Sequence, residues 1–220
     1  MSVLSRQEVL ARIADRELVI SPLIDAENQI GPASVDLRLG TTAALIRGSD
    51  LSHVDPKRYV AQDGSPDFAL EQGRRRKLEL VSVPFGHPLM LHAGNLILVP
   101  TLEWVRLPRD LNGIVTARSS WAREGLSIAT ATFINPCYKG IITLELANLG
   151  QIPIVLYPGM RLAQLALHRI DPNTAAECKE MSPSQFEMSY QPGSGDITKA
   201  DEPFIPRDSS TATSTTLANQ

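Results

Sequence analysis

The sequence has no long apolar run and no large excess of one charge. A membrane helix needs about 20 consecutive apolar residues, and the N-terminus becomes polar at Arg6 and Glu8, too early for a signal peptide. We therefore expect a cytoplasmic protein that does not enter a membrane. The formal net charge is −3, and the basic run from Arg74 to Lys77 is too short to form a polyanion-binding surface. Binding to nucleic acid is not expected.

Cysteine is scarce as well, with only Cys137 and Cys178 in the chain. Two cysteines far apart in a protein of a reducing compartment neither stabilise a fold nor make a zinc site, so both are expected to be free thiols. The four histidines show no metal-ligand spacing and are assigned no function; they are His53, His87, His92 and His168.

The length and composition suit a single hydrophobic core, since the chain has 220 residues of which 43% are hydrophobic. The Ser- and Thr-rich stretch from Ser209 to Thr216 cannot bury enough apolar surface to offset the entropy lost when it is ordered. The sequence therefore predicts one domain over residues 1–206 and a disordered tail over residues 207–220.

The apolar pattern predicts a helix followed by a mostly β chain. Ser5 and Glu8 form a capping box before apolar residues at helical spacing. Further on, short runs rich in Ile, Val, Leu and Thr are separated by Pro and Gly; they are Leu96–Val99, Gly113–Ala117, Leu126–Ile134, Ile141–Ala147, Ile152–Tyr157 and Leu162–His168. Without long helical patterns between them, these runs favour an antiparallel sandwich or barrel. Residues 41–77 are expected to be mostly loop.

The densest group of polar side chains follows one of these strands and reads Arg118-Ser119-Ser120-Trp121-Ala122-Arg123-Glu124-Gly125. The glycine is suited to end a short helical turn. Two serines at the start of the turn offer hydroxyl and N–H groups, and two arginines add charge, so the turn suits a phosphate chain. The alternative is a serine N-cap beside surface arginines, and the spacing does not decide between the two.

Two carboxylates lie within alternating strands. Glu145 shares a face with Ile141 and Thr143, while the opposite face is wholly apolar. If that carboxylate faces a cavity, burial would raise its pKa and make it a usable general base; the alternative, favoured by the pattern alone, is that it faces solvent. Asp36 and Arg38 also share one face of a strand, and we interpret them as a structural ion pair.

Several motifs that occur in a fixed order over about residues 3–170 resemble those of the deoxycytidine triphosphate deaminases, relatives of the trimeric deoxyuridine triphosphate diphosphatases. The motifs are Gly31–Gly40, Thr101–Glu103 with Leu107 and Pro108, Ala117–Arg123, Thr143–Glu145 and Pro158–Leu165. The resemblance implies a distorted β-barrel or jelly-roll fold, called a β-clip, with an N-terminal helix. It also implies a homotrimer whose active sites lie between subunits.

The resemblance further implies deamination of dCTP to dUTP and ammonia. The turn residues Arg118, Ser119, Ser120 and Arg123 would hold the triphosphate with Mg²⁺, and Glu145 would be the general base on the water that attacks C4 of cytosine. The family pattern counts Ser119 and Arg123 as catalytic too. The remaining implied contacts to the nucleotide are Ala131, Asn135, Thr143, Leu144, Gln164 and Tyr190.

No zinc is expected in such a site. The zinc-dependent deaminases need His-x-Glu and Pro-Cys-x-x-Cys motifs to build their ligand set. Here Pro136 and Cys137 are followed by Tyr138-Lys139-Gly140, without a second cysteine.

Asn135 favours deamination over triphosphate hydrolysis. The diphosphatases carry Asp in the corresponding Ile-Asp-x-x-Tyr-x-Gly motif, and an amide cannot accept the proton of the attacking water. Deaminases also have Asp there, so the sugar contact differs, and the C-terminal segment matches the family only at Tyr190. The alternatives are a dUTP diphosphatase or bifunctional dCTP deaminase, and a non-catalytic deoxynucleotide-binding module.

Overall fold

The structure of the protein, a computed structural model, describes residues 2–46, 78–128, 132–171, 178, 188 and 191–192. The helices within these ranges are α1 (Arg6–Ala14), α2 (Ala26–Gln29) and α3 (Ser119–Arg123). The strands are β1 (Val19–Ser21), β2 (Val35–Arg38), β3 (Thr42–Ile46), β4 (Leu78–Ser82), β5 (Leu89–Leu91), β6 (Leu96–Arg106), β7 (Leu111–Ala117), β8 (Leu126–Ile128), β9 (Phe133–Ile134), β10 (Lys139–Asn148), β11 (Ile154–Leu156) and β12 (Arg161–Arg169).

The N-terminal helix begins where the capping box predicts. Glu8 N donates to Ser5 Oγ at 3.4 Å, and Ser5 N donates to Glu8 Oε2 at 2.7 Å. Val9 is buried, and Arg12 Nη2 pairs with Asp110 Oδ2 at 2.6 Å, which attaches the helix to the turn before β7. The predicted helix is confirmed, and its contacts hold it against the sheets.

The strands form three antiparallel sheets. The largest sheet has the order β4-β3-β6-β10-β8, and β1 also pairs with β6, at Trp104 to Arg106. The second sheet has the order β2-β12-β7-β9, and the third pairs β11 with β5. The prediction of a mostly β fold is confirmed. Among the described strands the arrangement is three sheets, not one closed barrel. None of the helices in the described residues is long and apolar enough to cross a membrane.

The alternation of side chains along β10 shows which of its faces packs in the core. On β10, Ile142, Leu144 and Leu146 are exposed by 6%, 0% and 0%, whereas Thr143 and Glu145 are half-buried on the opposite face. Each buried Leu or Ile contributes about 2 kcal/mol relative to an exposed one. A one-residue slip would bury Thr143 and Glu145 in their place, so the apolar face fixes the register.

Strand β6 is longer than the sequence predicts. It continues through Pro100 to Arg106, because Pro100 lies opposite Thr143 at the register shift of the β6–β10 ladder, where β6 has more residues than β10. A residue without an N–H is tolerated where the ladder is already irregular. The predicted run Leu126–Ile134 also divides, into β8 and β9.

The expectation of free thiols is wrong, because Cys137 and Cys178 form a disulfide. Their Cα atoms lie 5.5 Å apart although 41 residues separate them, a separation well suited to a disulfide. Cys137 precedes β10 and Cys178 follows β12, so the chain returns to the start of β10 after β12. Sequence spacing does not show such a return.

Several predictions from the sequence concern residues that lie wholly or partly outside the described ranges. Strand β3 occupies part of the stretch expected to be mostly loop. The rest of that stretch, the predicted tail, Ala131 and Tyr190 lie outside the described ranges.

Candidate active site

The site residues predicted from the sequence lie on two sheets. Arg118 and the turn after it follow β7, and Gln164 lies on β12, both in the four-stranded sheet. Glu145 lies on β10 in the six-stranded sheet. Asn135 lies in the connection from β9 to β10, which crosses from one sheet to the other.

The turn after β7 leaves its serines available to a ligand. Arg118 is the N-cap of α3 and makes no side-chain cap hydrogen bond, and Ser119 and Ser120 are the first helical residues. Both serines and Arg123 are exposed. The helix ends at Arg123, and Gly125 follows the C-cap residue with a φ of 89°, which suits glycine. The alternative of a serine N-cap is therefore excluded, because neither serine occupies the cap position.

Asp36 holds Arg118 in place. The Arg118 guanidinium donates through Nη1 to Asp36 Oδ2, which also accepts from Arg161 Nη1 at 3.2 Å. The other oxygen, Oδ1, accepts from Gln164 Nε2 at 3.3 Å. With a side chain only 8% exposed, this carboxylate is shielded and fully engaged. We call Arg118, Arg161 and Asp36 the arginine cluster. Because one carboxylate faces two guanidinium groups, the arginine cluster keeps an excess of positive charge beside the exposed serines.

The predicted pair of Asp36 with Arg38 is wrong. Arg38 Nη1 donates to Gly159 O at 2.9 Å, and its Nε lies 4.0 Å from Glu103 Oε1. The β2–β12 register explains the difference, since it puts Asp36 opposite Gln164 and Arg38 opposite Arg161, with a register shift between. No role is predicted for Arg161 from the sequence, in which its place in the Pro158–Leu165 motif is the only local signal.

Replacing Asp36 with Asn should destabilise the protein by about 2 kcal/mol, because hydrogen bonds to charged groups are worth about 1.5–3 kcal/mol and an amide offers one acceptor where three donors converge. Urea denaturation measures this change. The control is Glu17→Gln, which removes a 51% exposed partner of Arg12 and should cost much less. Equal losses in the two variants would contradict a stabilising role for Asp36.

A second buried carboxylate supports the strand that carries Asp36. Glu103 is fully buried; its Oε1 accepts from Gln29 Nε2 at 2.8 Å and its Oε2 from Arg38 N at 2.8 Å. Burial raises the pKa of the Glu103 carboxyl above its ordinary value. Since Gln29 Nε2 also donates to Asp36 O, the network joins α2, β2 and β6 behind the arginine cluster.

Glu145 lies on the half-buried face of β10, as the alternation predicts. Its register partner is Leu98 of β6, which is 9% exposed, and Thr143 shares the face one pleat away. Leu144 points the other way, with 0% exposure, so only its backbone can reach a ligand on this face. The side chain is thus half-buried among partly apolar neighbours, and its Oε2 is shielded from solvent.

The connection that carries Asn135 is tightly turned. Cys137 has a φ of 66°, in the left-handed region. Tyr138 O accepts from Leu107 N at 2.9 Å, and Tyr138 Oη donates to Ile141 O. The Asn135 side chain is exposed, at the end of one sheet and close in sequence to the strand with Glu145.

Acidic, histidine and cysteine side chains do not gather into a metal site in the part of the chain that the structure describes, where no group of three or more such residues is placed to hold an ion.

Comparison with known families gives one match over most of the chain. A family model described as "dCTP deaminase-like" matches residues 3–170. A "dCTP deaminase, dUMP-forming" of Dictyoglomus turgidum is 36% identical over 169 residues, covering 76% of this chain and 80% of that protein. A "dCTP deaminase" of Halorubrum lacusprofundi is 40% identical over 164 residues, covering 74% and 75%.

A solved structure is similar as well. The crystal structure of 2′-deoxycytidine 5′-triphosphate deaminase from Agrobacterium tumefaciens superposes with a TM-score of 0.55 and 26% sequence identity. The match covers 75% of this chain and 46% of that one, so the chain spans about half the length of the solved protein.

Proposed function

Since the chain belongs to the dCTP deaminase-like family, we propose that it catalyses the hydrolytic deamination of dCTP to dUTP and ammonia. The observation that carries this proposal is the position of Glu145, a half-buried carboxylate opposite Leu98 and between Leu144 and Leu146 of β10. A carboxylate kept at such a place is suited to transfer protons.

The triphosphate binds at the start of α3. Arg118 and Arg123 contact phosphate oxygens through their guanidinium groups, and Ser119 and Ser120 donate hydrogen bonds. Mg²⁺ enters as part of the substrate, because phosphate oxygens are its preferred ligands and Asp36 is already engaged by two arginines. The excess positive charge of the cluster supports binding of an anion.

The nucleoside extends from this turn toward β10. Asn135 contacts the deoxyribose through its amide, Gln164 lies beside the arginine cluster, and Thr143 shares the face of Glu145. Leu144 contributes its backbone, because its side chain is in the core. Ala131 and Tyr190 complete the set that the family pattern assigns.

The reaction needs one water and one carboxylate. Glu145 takes a proton from the water as the water oxygen attacks C4 of cytosine, and Glu145 then gives this proton to N3 of the cytosine ring. A second proton transfer, from the added hydroxyl to the amino group, lets the C4–N bond break and ammonia leave. The sum is dCTP + H₂O → dUTP + NH₃, and Glu145 ends in its starting state. General acid–base catalysis of this kind contributes about 10²–10⁴-fold.

The route does not use zinc. The single Pro-Cys pair ends in Cys137, whose sulfur is bonded to Cys178 and so offers no thiolate. The zinc deaminases depend on cysteine thiolates at this motif. Ser119 and Arg123, which the family pattern counts as catalytic, instead place the phosphates relative to Glu145.

The active site is shared between subunits of a homotrimer. The arginine cluster and Glu145 lie on different sheets of one chain, which supports a site completed by a neighbouring copy. This assembly accounts for both groups without requiring them to meet within one subunit.

A second candidate is the bifunctional reaction that continues from dUTP to dUMP. It is favoured by relatives named "dCTP deaminase, dUMP-forming", among them the Dictyoglomus turgidum protein and a Halobacterium salinarum protein that is 40% identical over 164 residues. Asn135 argues against it, because an amide cannot take the proton of the water that attacks the phosphate chain.

Separate incubations with dCTP, dUTP, CTP and dCMP in the presence of Mg²⁺, followed by chromatography, test the proposal. We expect dUTP from dCTP and no monophosphate, since Asn135 blocks the second step. Formation of dUMP and pyrophosphate from dCTP would establish the bifunctional reaction. Tight binding of dCTP without any product would instead show a non-catalytic nucleotide-binding module and contradict the proposal.

A further inference from the structure

The disulfide between Cys137 and Cys178 is not used by the deamination reaction. Cys137 lies two residues after Asn135, in the connection that crosses between the sheets, and Cys178 follows β12. A second contact lies close by, where Met188 N donates to Lys139 O at 2.7 Å. Two described positions after β12 are therefore attached to this part of the chain, Cys178 to the connection and Met188 to the first residue of β10.

The disulfide is the covalent constraint on the Cys137 backbone. The hydrogen bond that the Cys137 N–H itself makes is long, at 3.4 Å to Pro108 O, and so is the bond from Tyr138 N to Asn135 O across the turn, also 3.4 Å. Cys137 nevertheless has a φ of 66°, a left-handed conformation that a residue with a Cβ rarely adopts unless its surroundings hold it there. Cutting the bond to Cys178 removes the covalent part of those surroundings.

The two ends of the disulfide differ in access. Cys137 is 8% exposed, whereas Cys178 is exposed. Thiol–disulfide exchange requires a thiolate to reach one sulfur in line with the bond and to expel the other. The Cys178 sulfur is therefore the one that an external thiol attacks, and Cys137 is the leaving group.

We propose that the Cys137–Cys178 disulfide is a reversible modification site for a dithiol, and that its reduction weakens deoxynucleotide binding through the connection that holds Asn135. One thiolate of the dithiol attacks Cys178 Sγ, forms a mixed disulfide and expels the Cys137 thiolate, which takes up a proton. The second thiolate of the dithiol then attacks the first dithiol sulfur, which is bonded to Cys178 Sγ, and releases the Cys178 thiolate, which takes up a proton. The dithiol is oxidised to a disulfide, and the protein gains two electrons and two protons.

The expected cytoplasmic location gives this exchange a reductant. Disulfides in reducing compartments are uncommon and, where they occur, are usually transient or redox-sensing. After reduction, the connection samples conformations other than the left-handed turn at Cys137. The apparent affinity falls in proportion to the fraction of molecules that keep the binding conformation.

The test compares oxidised protein with protein treated with dithiothreitol. Alkylation and mass measurement under denaturing conditions should find no free thiol before treatment and two afterwards. Hydrogen exchange over residues 135–140 should become faster on reduction, and the KM for dCTP should rise about fivefold or more, with kcat within about twofold. The Cys178→Ser variant should show the exchange and KM of the reduced protein and should not respond to dithiothreitol.

The KM measurement rests on the proposed function, whereas the thiol count and the hydrogen exchange do not. The oxidised protein could fail to turn over dCTP while hydrogen exchange over residues 135–140 still becomes faster on reduction. In that case the proposed function is wrong and the reversible disulfide is supported. Two free thiols in untreated protein would overturn the inference. So would complete reduction that changes neither the exchange nor the KM, or a Cys178→Ser variant that behaves like the oxidised protein.

Discussion

Replacing Glu145 with Gln should lower kcat for dCTP deamination by about 10³-fold, within the range that general acid–base catalysis contributes. The amide has nearly the same shape as the carboxylate but cannot take a proton from water. Binding of dCTP should change little, because the phosphate contacts come from the turn at the start of α3. Ammonium release measures the rate, and calorimetry measures the affinity.

The matched control for this variant is Glu17→Gln, the same chemical change at a half-exposed position beside α1. It should deaminate dCTP at the wild-type rate. A Glu145→Gln protein that binds dCTP normally and keeps more than about a tenth of the wild-type kcat would remove Glu145 from the mechanism.

Replacing Arg118 with Ala should raise the KM for dCTP by about 100-fold, because a charge-assisted hydrogen bond to phosphate is worth about 1.5–3 kcal/mol. The loss also leaves Asp36 with Arg161 and Gln164 as its partners. Arg118→Lys should recover only part of the loss, since an ammonium group lacks the planar geometry that serves Asp36 and a phosphate together. Steady-state kinetics with the three proteins measure the effect.

Arg169→Ala is the control for the loss of one positive charge, because Arg169 is exposed and pairs with Glu8 on α1. Its KM should stay within about twofold of the wild-type value. Equal KM changes in the Arg118 and Arg169 variants would show a general effect of net charge and contradict a phosphate contact at Arg118.

The parts of the fold that depend on local sequence were predicted well. The capping box of Ser5 and Glu8 marks the start of α1, because its hydrogen bonds join residues three positions apart. Alternation along β10 separates Leu144 from Glu145, because successive side chains of a strand point to opposite faces. Such patterns need no knowledge of which strands are neighbours.

The parts that depend on strand pairing were not predictable in the same way. Asp36 and Arg38 share a strand face, and nothing local shows that Asp36 instead meets Arg118, which is 82 residues away. The partner follows from the β2–β12–β7 order of the sheet. The same holds for Cys137, whose disulfide partner lies beyond β12.

Strand ends show a third kind of limit. Pro100 suggests the end of a strand, because proline has no N–H for the ladder. The strand continues, because the β6–β10 ladder shifts register beside Pro100, where β6 has more residues than its partner. Whether a proline ends a strand thus depends on how that strand pairs with its neighbour, which the local sequence does not show.

In the proposed reaction, a carboxylate and no zinc ion deaminates dCTP. Ammonium and nucleotide are measured together while the protein is incubated with dCTP, excess Mg²⁺ and the zinc chelator 1,10-phenanthroline. We expect equal amounts of ammonium and uracil nucleotide, formed at the same rate with and without the chelator. Loss of ammonium release in the chelator, or no ammonium in either incubation, would contradict it.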